Sequence, residues 1–283
     1  MRKTLRKQFA AQDSTGVYSS FDIVGDIAIT KMPSHSSVST GEVAEAIVKM
    51  HKNVKGIFLQ ETAVAGDFRL RSLRHIAGEN RTLAVHKESG CQFKVDVEKC
   101  YFSPRLSGER LRIANLVQPE ETVVNMFAGV GCFSILIAKQ QPTAKVYSID
   151  INPAAVKFME ENVRLNRVFG SVVPLLGDAG EIVQKQLQGC ADRVLMPLPE
   201  KVFAYLPSAV SALKPSGGWI HVHIFERADK AQTAVRMVER RIAEALSSLN
   251  VSFQFDRIRE VRSVGPRQFH IVVDIHLLPS SAL

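Results

Sequence analysis

The sequence predicts an α/β protein, a mainly parallel, doubly wound sheet with a smaller N-terminal α+β module. Three observations carry that expectation. From residue 122 onward, apolar runs rich in Val and Ile alternate with stretches at helical spacing, the pattern of a parallel sheet with helices on both faces. The run Val123 to Phe127 enters a turn holding Gly129 and Gly131 and leaves through Phe133-Ser-Ile-Leu-Ile-Ala138, which reads as strand, glycine loop, helix. About twenty residues later a second apolar strand ends in Asp150, where a doubly wound sheet offers a carboxylate to a ribose diol.

In chain order, residues 1–20 are polar and basic without periodicity and read as a basic arm. Phe21 to Thr30 alternates like one strand, and Met32-Pro-Ser-His-Ser-Ser-Val breaks it. Val43, Ala46, Ile47 and Met50 fall at helical spacing, so a helix spans about residues 39–51. Val54 to Gln60, Arg81 to His86 and Gln92 to Val97 read as strands, the last two turning at Ser89-Gly90. The arginine-rich segment Gly66 to Gly78 reads as a loop, and residues 21–100 together make the small module. Residues 101–283 open with Tyr101-Phe-Ser-Pro-Arg-Leu-Ser-Gly-Glu-Arg110. Pro104 ends the extended part, and a helix follows over Leu106 to Val117 with Glu109 near its first turn. Beyond Asp150, Leu175-Leu-Gly-Asp178 sets another acid at a strand end, and Ala191 to Pro199 closes a fourth strand. Trp219 to Phe225 is a further strand, Asp229 to Leu249 a long amphipathic helix, and Phe253 to Val261 with Phe269 to Leu277 an antiparallel hairpin at the sheet edge.

Composition bounds the function. The 283 residues are 46% hydrophobic and 23% charged, enough for a sizeable core and a second module. No apolar run reaches membrane-spanning length and no signal-type core follows the basic N-terminus, so a soluble cytoplasmic protein is expected. Cys91, Cys100, Cys132 and Cys190 stand apart with no C-x-x-C pair, which indicates neither zinc nor disulfides. His221 and His223 alternate on one strand with no third ligand nearby and read as structural. The net charge of +8 divides as +4 on residues 1–122 and +4 on residues 123–283, so an anionic partner is suggested without favouring one module. Arg69, Arg71 and Arg74 cluster, as do Arg105, Arg110 and Arg112, either as a docking surface or as a solvated face.

The glycine loop narrows the ligand. Ala128-Gly-Val-Gly131 runs into bulky Cys132 and Phe133, so the third glycine of a dinucleotide fingerprint is missing. The loop resembles the A/G-x-G-x-G type of class I S-adenosylmethionine (SAM) enzymes, whose ligand carries no phosphate. Longer motifs point to a family. Tyr101-Phe-Ser-Pro-Arg-Leu-Ser-x-Glu-Arg110, Phe127-Ala-Gly-Val-Gly131, Asp150-Ile-Asn-Pro153 and Arg69-x-Arg-x-Leu…Ile-Ala-Gly-Glu79-Asn-Arg-Thr resemble the archaeal and eukaryotic tRNA (guanine-N1)-methyltransferases acting at position 37, beside the anticodon. The similarity runs from about residue 21 to the C-terminus.

That resemblance implies a class I SAM-methyltransferase (Rossmann-like) domain over 101–283, a tRNA-binding module over 21–100, SAM as cofactor and the anticodon loop of tRNA as partner. It implies no metal and no membrane, and the chain is expected to be a monomer. Catalysis falls to Glu109 as general base with Arg105 and Arg69 as guanidinium partners. N1 of guanine is a poor nucleophile until its proton is removed, and the charge developing on O6 wants a cation. Cofactor contacts are expected from Tyr101, Asn125, Phe127, Gly129, Gly131, Asp150, Ile151, Asp178, Ala179 and Pro197. Contacts to tRNA are expected from Arg69, Arg71, Arg105, Arg110 and Pro199. The structural alternatives are an intrahelical ion pair of Glu109 with Arg110 or Arg112, and an exposed solubilising charge for Arg69. Two positions depart from the family pattern. Asn125 stands where an Asp is usual, and Pro197-Leu-Pro199 replaces Asn-x-Pro, removing an amide that helps hold the guanine. Longer members carry an N-terminal module that grips the tRNA elbow, which the first 20 residues are too short to supply. The alternatives are a wyosine-pathway transferase at the same nucleotide, methylating a wyosine precursor or moving the aminocarboxypropyl group of SAM, and a non-catalytic protein that binds tRNA and SAM.

Overall fold

The structure is a computed structural model that describes residues 21–33 and 36–279; the basic arm expected over 1–20 lies outside them. The chain divides into two compact units, Met1–Gly108 and Glu109–Leu283.

In the first unit, β1 (Asp22–Val24), β2 (Ile27–Thr30), β3 (Gly56–Gln60) and β4 (Leu73–Gly78) form one sheet in that order, with β2 and β3 parallel. The single strand expected over 21–30 is therefore a hairpin. Val24 pairs with Ile27 across a two-residue turn, and Gly25 at φ 60° supplies the positive angle that such a turn needs at its first central position. The segment expected to be a loop ends in a strand, since β4 pairs antiparallel with β3. Helix α1 (Thr40–Met50) is started by a capping box between Ser39 and Glu42 and buries Val43, Ala44, Ala46 and Ile47 against Ala28 and Ile57. Strands β5 (Leu83–Glu88) and β6 (Cys91–Asp96) form a separate hairpin turning at Ser89 and Gly90. A 3₁₀ turn over Pro104–Leu106 closes the unit.

The second unit carries a seven-stranded sheet. Its strands are β7 (Thr122–Asn125), β8 (Lys145–Asp150), β9 (Val172–Leu176), β10 (Arg193–Met196), β11 (Gly218–Arg227), β12 (Phe253–Gly265) and β13 (Gln268–Leu277), ordered β12-β13-β11-β10-β7-β8-β9. Strands β7 to β11 are parallel; β13 runs antiparallel between β11 and the edge strand β12. Helix α2 (Ser107–Leu116) begins in the last two residues of the first unit and continues into the second, whose further helices are α3 (Cys132–Gln140), α4 (Pro153–Leu165), α5 (Ala179–Ile182), α6 (Val202–Ala212) and α7 (Ala231–Ser248), with a π turn over Val183–Leu187. The core gathers Val124, Met126, Val194, Ile220, Val222, Val273 and Ile275 from the sheet with Leu206, Val238, Ile242 and Leu246 from α6 and α7. Sequence order reverses between β7 and β10. A doubly wound sheet opens its ligand crevice at such a point, at the carboxyl ends of the strands.

Candidate active site

The glycine loop leaves β7 at that crevice. Gly131 precedes α3 at φ 90°, and a Cβ there would stand 2.9 Å from Met159 Cγ, so glycine lets the loop sit directly on α4. The loop amides are turned inward. Gly129 N–H donates to Asp150 Oδ2 at 2.6 Å, and Gly131 N–H donates to the Ala128 carbonyl at 3.0 Å. Amides engaged in this way are not offered to a pyrophosphate, which suits a nucleoside ligand without one. Asp150 also accepts from Asn152 N–H at 2.9 Å, and burial pushes its carboxyl above the usual range against these two donors. Ile151 beside it is 42% exposed.

Asp178 caps α5 by accepting from Glu181 N–H and takes a short hydrogen bond from the Tyr205 hydroxyl. Tyr205 meets Phe127 edge to face at 5.0 Å. Ala179 is buried as the first residue of α5, and Pro197 and Pro199 follow the end of β10. Asn125, at the end of β7, is fully buried. Its Nδ2 donates to Ser134 Oγ at 3.0 Å, while Oδ1 has no hydrogen-bond partner among the described residues. A buried acceptor in that condition costs about 1–3 kcal/mol until a donor reaches it. An N–H-bearing ligand fits this donor set, and a phosphate does not.

Glu109 lies in the first turn of α2 and is 3% exposed. Arg112, one turn on, donates to its Oε1 from Nε at 2.9 Å and from Nη2 at 2.6 Å. Arg259 of β12 donates to Oε2 from Nη2. A carboxylate offers about four acceptor positions; among the described residues three donors fill three of them, so Oε2 keeps one. The ion pair with Arg112 foreseen as a structural alternative is thus present, and the arrangement continues through the sheet. Arg112 is bidentate to Asp274, at 2.6 and 3.0 Å, and Asp274 bonds His221 Nδ1 at 2.5 Å. Arg193 donates to His221 Nε2, which makes Nδ1 the protonated nitrogen. Arg193 then binds Glu121 through two nitrogens and the Leu116 carbonyl at the end of α2. Burial would raise the Asp274 carboxyl, but the His221 and Arg112 hydrogen bonds win and hold it well below the usual range. Burial likewise opposes the charge on Arg112, and its two carboxylate partners outweigh it and raise its pKa. Breaking one link would leave an uncompensated buried charge, at a cost of about 3–5 kcal/mol.

The remaining expected residues belong to the first unit, except Arg110, which is buried in α2. The Arg69 guanidinium lies 4.5 Å over the Tyr101 ring, and Arg69 itself takes φ 55°. Arg71 donates to Gln60 Oε1, and burial lowers its pKa despite Asp22 and Tyr101 nearby. Arg105 pairs with Asp22 at 2.5 Å and Arg74 with Glu61 at 2.8 Å. The arginine clusters seen in sequence are thus paired or ring-stacked over much of their number. Arg259, Asp274, Arg193 and Tyr205 escaped the sequence reading, because no local spacing links them to the motifs they touch. Among the described residues no group of three or more His, Cys, Asp or Glu could hold a metal ion, and no helix is long and apolar enough to cross a membrane.

Comparison with known proteins gives this geometry a context. The TRM5/TYW2 methyltransferase domain matches residues 84–251, and the TYW2 N-terminal domain matches residues 1–82. The tRNA (guanine(37)-N(1))-methyltransferase Trm5b of Pyrococcus abyssi is 42% identical over 258 residues, 91% of this chain and 74% of that protein. Its crystal structure superposes with a TM-score of 0.83 at 39% identity, covering 98% of this chain and 80% of the other. The tRNA 4-demethylwyosine(37)-methyltransferase Taw21 of Saccharolobus solfataricus is 38% identical over 274 residues, 96% of this chain and 98% of that protein. A solved complex of aTrm5 and tRNALeu matches with a TM-score of 0.76 at 33% identity, covering 96% of this chain and 75% of that one.

Proposed function

The chain belongs to the TRM5/TYW2 methyltransferase family, and from that membership we propose that it methylates N1 of the guanosine at position 37 of tRNA, with SAM as donor. The observation that supports this reading most is the Glu109 carboxylate, held on both oxygens by guanidinium groups with one acceptor position left on Oε2. N1 of guanine carries a proton that must leave as the new bond forms, and a positioned carboxylate taking it contributes about 10²- to 10⁴-fold. When bound, SAM supplies a methyl group on a sulfonium, open to in-line attack.

The chain's own residues do the rest. Asp150 accepts from the ribose hydroxyls, Asp178 from the adenine amino group, and Asn125 Oδ1 from a donor on the methionine part. Phe127, Gly129, Gly131, Ile151, Ala179 and Pro197 line the cofactor, and Tyr101 sits beside the methyl donor. Arg69 and Arg105 stabilise the charge that develops on O6, while Arg71, Arg110 and Pro199 hold the RNA.

One observation favours a second substrate. Pro197 has no side-chain amide where the family pattern puts the group that helps hold guanine, and the Saccharolobus relative is named for 4-demethylwyosine. That reading keeps the donor, the base and the nucleotide, and exchanges guanine for a tricyclic wyosine precursor. The test is nucleoside mass spectrometry after incubation with SAM and tRNA carrying either base at position 37. A methyl gained at N1 of guanosine is the expected result. Methylation of the precursor alone selects the second reading, gain of an aminocarboxypropyl group overturns both in favour of that transfer, and no mass change leaves only a binding protein.

A further inference from the structure

We propose that Arg259 is a positioning residue for the reaction, holding Oε2 of Glu109 in the orientation from which it takes the substrate proton. The inference rests on the reading of Glu109 as general base. It starts from the register of the edge strand. Up to Phe255, the odd-numbered residues of β12 face the hydrophobic core: Phe253 pairs with Leu277 and Phe255 with Ile275. Continued alternation would send residue 259 into the same core. A bulge between Phe255 and Arg257 inserts one residue, after which Arg257 pairs with Asp274, Ile258 with Val273 and Arg259 with Val272. One inserted residue exchanges the two faces of a strand. Ile258 thereby takes the core side, and Arg259 is delivered to the face where Asp274, Arg112 and Glu109 meet.

The two guanidinium groups on Glu109 are not equivalent. Arg112 is locked from behind by Asp274, which is 1% exposed, so Oε1 is fixed from the interior. Arg259 has no carboxylate behind it among the described residues. Its Nη1 donates to the Glu260 carbonyl at 3.4 Å, and its side chain is 37% exposed. It therefore closes the solvent side of the base and fixes the oxygen that still has an acceptor position. Without it, the carboxylate is anchored through Oε1 alone and can rotate Oε2 out of line.

The test uses the full chain, SAM and tRNA in single-turnover methylation, with tRNA and SAM affinities measured separately. Arg259→Met should slow methyl transfer by about 10- to 100-fold, the scale of a small misplacement of a reacting group, with both affinities within about twofold of the parent. Arg259→Lys, which restores a cation, should recover a substantial part of the rate. An unchanged rate in Arg259→Met, or a loss wholly explained by weaker tRNA or SAM binding, overturns the proposal. If Arg259→Met does not fold, Arg259→Gln carries the same readout, with Arg259→Lys as its rescue. Glu109→Gln, run in parallel, separates the two claims. Full activity in that variant removes the base itself, whereas an inactive Glu109→Gln beside a fully active Arg259→Met removes only the clamp.

Discussion

Burial makes Glu109 answerable to a change of one atom. Glutamine keeps the shape and an acceptor oxygen for Arg112, but it cannot take a proton and it removes one negative charge from between two guanidinium groups. Glu109→Gln should therefore lower the single-turnover methylation rate by about 10²- to 10⁴-fold, with SAM affinity changed by less than about twofold, since Asp150, Asp178 and the glycine loop are untouched. Calorimetric titration with SAM beside a rate measurement checks both parts. A parallel loss of SAM affinity would mean that Glu109 acts on the cofactor pocket instead. At this scale the sequence was legible where the chemistry is contiguous. The motif from Tyr101 to Arg110 carries Glu109, and Arg112 lies one helical turn further on. Asp274 and Arg259 could not be read, because they approach α2 from 162 and 150 residues away. For the same reason spacing shows Arg105 and Arg112 as neighbouring like charges and hides the distant acids that meet them, Asp22 and Asp274.

Elements were legible where one face is apolar and obscure where it is not. Helix α1 and the long helix α7 follow from their periodicity. Helix α2 buries Glu109 and Arg110 beside Ile113 and Ala114, so ion pairs do much of what apolar packing does elsewhere, and periodicity alone understates it. The bulge in β12 leaves no mark in an alternation that merely shifts phase. The hairpin of β1 and β2 was hidden because Ile23, Val24, Ile27, Ala28 and Ile29 read as one apolar run across its turn. That turn gives a clean test. Gly25 takes φ 60°, and a Cβ there would stand 2.6 Å from the backbone carbonyl oxygen of Val85, which cannot yield as a flexible side chain would. Gly25→Ala combines left-handed backbone strain with that clash and should destabilise the first unit by about 2 kcal/mol or more. Hydrogen exchange read by mass spectrometry should show faster exchange over residues 21–60, with residues 122–277 unchanged. Parent-like protection over residues 21–60 would contradict the turn geometry.

Across the molecule, the same burial that tunes the site sets how the fold responds to acid. The chain carries 36 basic and 28 acidic side chains, yet the sharpest sensitivity belongs to neutral histidines. Burial first, then the nearby Arg112 charge and the neighbouring His221, holds His223 down to about 3 from an ordinary 6.5; Asp274 opposes the shift and Arg259 adds to it. His223 packs against His270, at 3.0 Å between ring nitrogens, and edge to face against Phe133. His221 is lowered in the same direction, chiefly by burial, with Asp274 opposing. A group depressed in the folded state binds its proton first in the unfolded chain. Its contribution is therefore complete above about pH 6.5 and is lost as pH falls toward 3. Each unit of pH below 6.5 then costs about 1.4 kcal/mol for His223 alone, or about 2 kcal/mol between pH 6.5 and 5. Asp274 has the same sign in a lower window, since its depressed carboxyl gives way only below the ordinary carboxylate pKa of about 3.9. Trp219, the single tryptophan, lies on β11 with both histidines, so its fluorescence follows unfolding of this unit. Urea unfolding at pH 7, 6 and 5 should show a falling midpoint, and His223→Gln, which cannot titrate, should flatten that fall by about one proton's worth of slope. A variant as acid-sensitive as the parent would place the titrating group elsewhere and leave the β11 histidines as packing alone.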